Sequence, residues 1–520
     1  TPPVRICCGQ GGISLPKKLP IFYSALLLTG VNLLLRLVGT SFQVYISGRI
    51  GAAGVGLLQL TMSVGSLAMV TGIAGVRTAT MYLTAEELGK KRPGNVTWVL
   101  SGCFVYSILC STAVAAALYF LAPTLAENWI GDVRTVNSLR LFAAFLPVSC
   151  LCGVMTGYFT AANRIGTLAA VEAAEQLCSM VVTMAVLTLW AGDDPGRACQ
   201  SVVMGGCFGA CLTLCCLMLL RLAERVKPGP KIPIRSRLLQ AAVPLAMADV
   251  LKSGISTTEN LMVPKRLALN SLIDSPLAAF GIVSGMVFPV LMFPACILFG
   301  LAELLIPELA RCAAAGSKQR ISYLVRRSLR TAMLYGIVFS GLEFLLAEGL
   351  CNSLYRNAEA GRWLRLYALL IPMLYCDAIT DAMTKGLGQQ KVCVRYNIIT
   401  NSMDVFFLYF LLPKYGMEGY FFSFFITHLV NFILSLRRLL IITGETIPFS
   451  VPALSVAAAL AAGWGASRFA SPVLRAGTYP VLLGCLMCLF GVLGREDIAW
   501  LKGLLRGKSI TKAHAFSKSA

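Results

Sequence analysis

The feature that most constrains this chain is a series of long apolar runs that recurs from one end to the other. A run of about 18 residues or more can cross the roughly 30 Å hydrocarbon core of a bilayer as a helix. Inside lipid the backbone must satisfy its own hydrogen bonds, which leaves α-helices as the structure for apolar runs of this length. The sequence therefore predicts an all-α integral membrane protein with about fourteen transmembrane helices.

The run boundaries also predict an internal organisation. We expect an N-terminal segment (1–18), an N-lobe of six spans (19–222), a proline-rich basic linker (223–236), a C-lobe of six spans (237–441), two further spans (442–494) and an amphipathic basic tail (495–520). Two six-helix lobes around a central cavity are a common plan for transporters. The predicted spans are 20–47, 55–84, 95–121, 138–162, 167–191, 199–222, 237–263, 277–310, 329–353, 363–384, 392–412, 417–441, 450–469 and 476–494.

Composition agrees with a membrane protein and not with a soluble one. Hydrophobic residues make up 57% of the 520 positions and charged residues 13%, and the formal net charge is +21. Lys and Arg are more than twice as numerous at the N-terminus, the even-numbered connections and the C-terminus as at the odd-numbered connections. This asymmetry is the positive-inside pattern, so it predicts cytoplasmic termini and contact with anionic lipids of the plasma membrane. Nucleic acid is a poor interpretation of the same charge.

Enzyme and metal signatures are not found in the sequence. The 19 cysteines have no paired CxxC spacing and there are two histidines, so neither a zinc site nor a disulfide framework is expected. There is no nucleophile elbow, P-loop or HExxH motif, and the apolar first span is too long for the core of a cleavable signal peptide. We expect no cofactor and no catalytic residues. Transport would then draw on an ion gradient, the membrane potential or the substrate gradient.

Cations within the predicted spans are the strongest candidates for a binding site. A charge in a span is costly unless it is paired or faces water. Arg36 lies in the first span, Arg77 in the second and Lys252 in the seventh. The polar side chains that share their helix faces include Asn32, Gln43 and Gln59. These residues predict a cavity for an anionic headgroup, because arginine donates two hydrogen bonds to phosphate. The alternative is that the cations pair with carboxylates and stabilise the bundle.

Carboxylates within the spans are candidates for coupling transport to Na⁺ or H⁺. Asp249 precedes Lys252 by three residues, a spacing that permits an ion pair. Glu303 lies between Pro294 and Pro307, where a kink is expected. The full set is Asp249, Glu259, Glu303, Asp377, Asp381 and Asp404. Packing or helix-end roles are the alternative for each.

Several segments resemble the stage V sporulation protein B group of the multidrug/oligosaccharidyl-lipid/polysaccharide flippase superfamily. The resemblance is carried by Gly48–Leu60, Glu175-Gln176, Leu305-Ile306-Pro307, Lys385–Gln389 and the stretch from Arg395-Tyr396-Asn397 to Tyr415–Tyr420. It runs in order through about residues 17–495.

The resemblance implies a flippase for a polyprenyl-diphosphate-linked sugar, such as a precursor of cell wall, peptidoglycan or other polysaccharide, working by alternating access. Related lipid II flippases use a cationic cavity, for which Arg36, Arg77 and Lys252 are the candidates here. One alternative is a cation-coupled multidrug exporter of the same superfamily. A second is a membrane glycosyltransferase or polymerase, against which the short outer connections count.

Overall fold

The computed structural model describes residues 21–492 except 91, 193, 225–228, 231–233, 446–449 and 470. The predicted N-terminal segment, the C-terminal tail and most of the linker therefore lie outside the described residues. All regular structure within the described ranges is helical. The predicted all-α fold is confirmed.

Sixteen α-helices follow one another along the described chain, and three π-helical turns extend or connect them. The α-helices are α1 (Ile21–Ile73), α2 (Val76–Gly89), α3 (Asn95–Thr124), α4 (Val136–Ala161), α5 (Ile165–Val186), α6 (Pro195–Ala223), α7 (Arg235–Leu267), α8 (Pro276–Gly281), α9 (Phe288–Leu291), α10 (Ala295–Ala314), α11 (Lys318–Tyr355), α12 (Ala358–Ala368), α13 (Ile371–Gly386), α14 (Gln390–Thr443), α15 (Ser450–Ser467) and α16 (Pro472–Leu489). The π-helical turns are Leu125–Ile130, Leu187–Ala191 and Ile282–Val287.

Two of these helices are too long to be single spans. At 1.5 Å per residue, α1 and α14 would each extend about 80 Å, more than twice the thickness of the hydrocarbon core. Each is interrupted by a glycine outside helical geometry, Gly51 with φ 68° and Gly416 with φ 58°. Glycine adopts positive φ without a Cβ clash, so each interruption ends one crossing and begins the next. These are the breaks predicted at 48–54 and 413–416.

The described residues contain nine helical stretches long and apolar enough to cross a membrane, and eleven when two bent helix pairs are counted. Leu34–Gly89 and Gln390–Thr443 each hold two crossings, and the shorter apolar helix Val451–Ser467 adds one more. Counted in this way, the described residues hold fourteen helical segments that could cross a membrane. The chain is a multi-pass membrane protein.

Two predicted spans are bent, the first where prolines predicted a kink and the second where a continuous helix was expected. The predicted span 277–310 divides into α8–α9 and α10 with a 66° bend, and the predicted span 363–384 divides into α12 and α13 with a 58° bend. The first bend lies beside Pro294, whereas the backbone of α10 stays helical through Pro307. Two tyrosines donate to the carbonyls at this bend: Tyr335 to Pro294 (2.7 Å) and Tyr375 to Leu291 (3.0 Å). These bonds satisfy backbone oxygens that a break in the helix releases.

The beginning of α7 packs with the N-lobe. Ile234, Leu238 and Ala242 are buried in one apolar cluster with residues of α2, α3 and α4. Later residues of α7, such as Leu261 and Leu267, belong to the large central cluster with α8 to α14. The division into lobes at 223–236 stays a prediction.

The last two spans pack on the outside of the C-terminal half. Ala458 and Ala462 of α15 and Tyr479 and Leu483 of α16 form an apolar cluster with Ile337 of α11.

Candidate functional site: a cavity between span 2 and α7

A cavity of about 570 Å³ lies between the second crossing and α7, the first helix after the linker. Its described lining comes from Gln59–Thr78 on one side and Asp249–Asn260 on the other. Arg77, Lys252, Asp249 and Gln59 are among the lining residues. Four of the side chains singled out from the sequence therefore meet at one place, although they are nearly 200 positions apart in the chain.

The charged side chains of this cavity, Arg77, Asp249 and Lys252, form no ion pairs within the described part of the chain. No described carboxylate lies within 4.0 Å of Arg77 or Lys252, and the pair permitted by the Asp249–Lys252 spacing is not formed. Arg77, Asp249 and Lys252 are all exposed. Glu172 of α5 acts electrostatically on Arg77 from a greater distance. The lining thus carries two cations and one carboxylate, an excess of one positive charge.

Hydroxyl and amide groups complete the lining. Ser253, Ser256, Thr257 and Asn260 share the α7 face with Asp249 and Lys252. Two of them bond across to the second crossing: Asn260 Nδ2 donates to Ser63 Oγ (3.1 Å) and Thr257 Oγ1 donates to the Ser63 carbonyl (3.2 Å). These four residues are missing from the sequence prediction. They lie 4, 7, 8 and 11 residues after Asp249, the spacing of one helix face, and this periodicity was the signal that could have found them.

The first-span candidates lie outside this lining. The Arg36 guanidinium is 5.1 Å from the centroid of the Phe299 ring on α10, and Arg36 is exposed. Gln43 Nε2 donates to the Gly285 carbonyl (3.4 Å), so it connects the first crossing to the π-helical turn after α8. The side chain of Asn32 lies outside the described residues. The structure therefore brings Arg77 together with Lys252 but not with Arg36.

Two of the predicted coupling carboxylates meet in the C-terminal half. Asp404 of α14 is buried and accepts from Ser423 Oγ (2.5 Å) and Thr427 Oγ1 (3.3 Å). The carboxyl of Glu259 on α7 lies beside that of Asp404 and interacts with it electrostatically. Two negative charges on neighbouring carboxyls repel each other. A proton or a cation shared between the two carboxyls would remove that repulsion.

The remaining carboxylates are dispersed. Asp377 accepts from Asn431 Nδ2 (3.0 Å), and Asp381 pairs with Lys385 one turn later (2.5 Å). Glu303 is exposed on α10, one turn after Phe299. Among the described residues, no group of three or more His, Cys, Asp or Glu side chains is arranged to hold a metal ion.

Two family models match overlapping parts of the chain. The model described as "Polysaccharide biosynthesis protein" matches residues 52–273, and the MatE model matches residues 244–410. Among curated proteins, stage V sporulation protein B of Bacillus subtilis (strain 168) is 20% identical over 411 residues, which cover 76% of this chain and 78% of the relative.

Solved structures share the fold. The lipid II flippase MurJ in an inward closed conformation has a TM-score of 0.69 at 14% identity, covering 89% of this chain and 98% of the other. An inward-facing multidrug resistance MATE family transporter of the MOP superfamily has a TM-score of 0.62 at 12% identity, covering 81% and 100%. The resemblance inferred from the sequence motifs, to stage V sporulation protein B and its flippase superfamily, is confirmed.

Proposed function

We propose that this protein is a flippase that moves a polyprenyl-diphosphate-linked sugar, a precursor of cell wall or other polysaccharide, across the plasma membrane. The observation that carries the proposal is the cavity between the two halves of the chain, in which Arg77 and Lys252 are free of ion pairs with described carboxylates. A cation inside a membrane protein is costly unless it faces water or a counter-charge. An anionic headgroup would supply that counter-charge.

The lining suits both parts of such a headgroup. The Arg77 guanidinium can donate two parallel hydrogen bonds to phosphate, and Lys252 adds a point charge. Gln59, Asn260 and the serines around them offer donors and acceptors for sugar hydroxyls. The prenyl tail would stay in lipid while the two halves rock around the headgroup. Arg36, Asn32 and Gln43 would serve the headgroup at another stage of this cycle.

The relatives support this choice of cargo. One solved structure with this fold is a lipid II flippase, the matching model over residues 52–273 is of polysaccharide biosynthesis, and the curated relative is a sporulation protein. The proposed orientation, with both termini cytoplasmic, follows from the distribution of Lys and Arg.

We place ion coupling at the Glu259–Asp404 pair. Binding Na⁺ or H⁺ there would neutralise a buried repulsion, and α7 carries both this pair and the cavity cation Lys252. Asp249, Glu303, Asp377 and Asp381 are secondary candidates, because each is exposed or already has a polar partner.

Reconstitution of the purified protein with a fluorescent polyprenyl-diphosphate sugar tests the cargo. Arg77→Gln and Lys252→Gln should each slow headgroup translocation about tenfold or more, because a hydrogen bond to a charged group contributes about 1.5–3 kcal/mol. Arg362→Gln is the matched control, since Arg362 is an exposed arginine of α12 outside the cavity lining. Wild-type rates in both cavity variants would remove this assignment.

Multidrug export is the second candidate, and Asp249 in the cavity lining favours it, because a carboxylate would attract a cationic drug. Efflux of cationic dyes from proteoliposomes under a Na⁺ or H⁺ gradient separates the two functions. A drug exporter would lose dye efflux in Asp249→Asn and keep it in Arg77→Gln. A flippase would show no gradient-dependent dye efflux.

A further inference from the structure

One arginine at the beginning of α7 connects the two halves of the chain by ion pairs. Arg237 Nη1 lies 3.0 Å from Glu87 Oε1, and Arg237 Nη2 lies 2.7 Å from Glu86 Oε2. Both carboxylates belong to α2, the end of the second crossing. The guanidinium thus bridges two adjacent carboxylates of the opposite half, one through each terminal nitrogen, by charge-assisted hydrogen bonds.

The neighbours of this contact hold it in place. Asn95 Nδ2 donates to Glu87 Oε2 (3.0 Å), and Lys90 pairs with Glu86 (2.5 Å). The Glu87 side chain is only 3% exposed, whereas that of Arg237 is 32% exposed. A carboxylate this buried depends on its partners, since an unpaired buried charge is strongly unfavourable.

The contact lies at one end of the cavity. Between the cavity and Arg237, the backbone of the second crossing packs directly against the backbone of α7. A methyl group added at Gly75 would lie 2.5 Å from the Ala242 carbonyl oxygen, so there is no space for a side chain. Gly75 itself lines the cavity. Away from Arg237, the same two segments are joined by the neutral hydrogen bonds of Thr257 and Asn260 to Ser63. The contact surface between the second crossing and α7, called the seam below, is therefore closed at one end by the Arg237 ion pairs together with the apolar packing of Leu238 and Ala242. At the other end it is closed by neutral hydrogen bonds.

We infer that Arg237, Glu86 and Glu87 form a latch that closes the cavity at the N-terminal end of α7, and that breaking it opens the cavity to water on that side. The inference rests on the alternating-access cycle proposed above but not on the identity of the cargo. Glu86 and Glu87 bind the guanidinium together, so the latch opens when α7 moves away from α2 and leaves the carboxylates with their other partners, Lys90 and Asn95. The three residues set how readily the seam opens at this end.

The latch is tested by measuring, in the absence of substrate, how fast water-soluble reagents reach the cavity lining. A Ser66→Cys substitution places a thiol on the exposed cavity lining, and a membrane-impermeant maleimide reports its access to water. Peptide mass spectrometry follows this one site, so the native cysteines can stay. Arg237→Gln and Glu87→Gln should each raise the labelling rate about tenfold, the factor that corresponds to loss of one charge-assisted hydrogen bond. The double variant should label no faster than the faster single variant, because both changes break the same contact.

Glu224→Gln is the matched control. Glu224 also accepts hydrogen bonds from two arginines, Arg164 and Arg221, but all three belong to the N-terminal half. Its labelling rate should equal that of the parent. If Arg237→Gln does not fold, Arg237→Lys is the second variant. It keeps the positive charge but has one terminal nitrogen instead of two, so it should raise the labelling rate less. Parental labelling in folded Arg237 variants would overturn the latch. Raised labelling without translocation of the lipid-linked sugar would keep the latch and remove the proposed cargo.

Discussion

At the scale of single residues, glycines determine how closely the two halves approach. A Cβ at Gly281 would lie 2.0 Å from the Ala52 carbonyl oxygen, and one at Gly56 would lie 2.3 Å from the Leu277 carbonyl oxygen. Backbone therefore meets backbone where the second crossing touches α8, with no space for a methyl group. The Gly48–Leu60 motif that carries the sequence resemblance includes one side of this contact.

Gly281→Ala should consequently destabilise the protein by about 1–3 kcal/mol, the usual cost of overpacking, and lower the melting temperature in detergent by several degrees. Gly48→Ala is the control, because its added methyl group would meet no atom within 4 Å. It should be neutral or slightly stabilising, since alanine favours helix. Equal melting temperatures for the two variants would contradict the contact.

The binding residues were only partly predictable at this scale. A charge within an apolar run is visible in the sequence, and Arg77 and Lys252 were found in this way. Thr257 and Asn260 are ordinary polar residues in α7, and their importance comes from Ser63, which lies in a different half of the chain. Arg36 has the same sequence signal as Arg77, yet it lies over Phe299 and outside the cavity lining.

At the scale of elements, the broken span formed by α8 to α10 depends on two tyrosines. Tyr375 of α13 donates to the Leu291 carbonyl at the break, and its ring is buried. The prolines near this site predicted a kink, but not the tyrosines that satisfy the released carbonyls, because they come from other helices.

Tyr375→Phe should cost about 1–3 kcal/mol, because it leaves a buried carbonyl without its donor. Tyr367→Phe is a close control: Tyr367 is equally buried, but its hydroxyl has no hydrogen-bond partner among the described residues. Removing that hydroxyl should be neutral or stabilising. Thermal unfolding of the two variants side by side gives the comparison, and a more stable Tyr375→Phe would refute the role of this bond.

At the scale of the whole molecule, transport by alternating access requires the second crossing to separate from α7. Ser63 and Asn260 are within hydrogen-bonding distance across this seam. In a Ser63→Cys/Asn260→Cys variant, oxidation should join the halves and stop translocation, and reductant should restore it. Ser322→Cys/Glu445→Cys is the control, because these residues touch within the C-terminal half. Full translocation with the first pair oxidised would show that this seam does not open.

The sequence alone determined the membrane-spanning helical architecture, the positions of most crossings and the superfamily resemblance. Hydropathy is a local property that each run carries independently of its neighbours, and glycines such as Gly51 and Gly416 mark the reversals of the chain directly. The tertiary structure decided which charges share a cavity, which carboxylates meet and where Arg237 connects the halves. These depend on how helices distant in sequence approach and rotate against each other, which is set by close packing across the seam rather than by any single run.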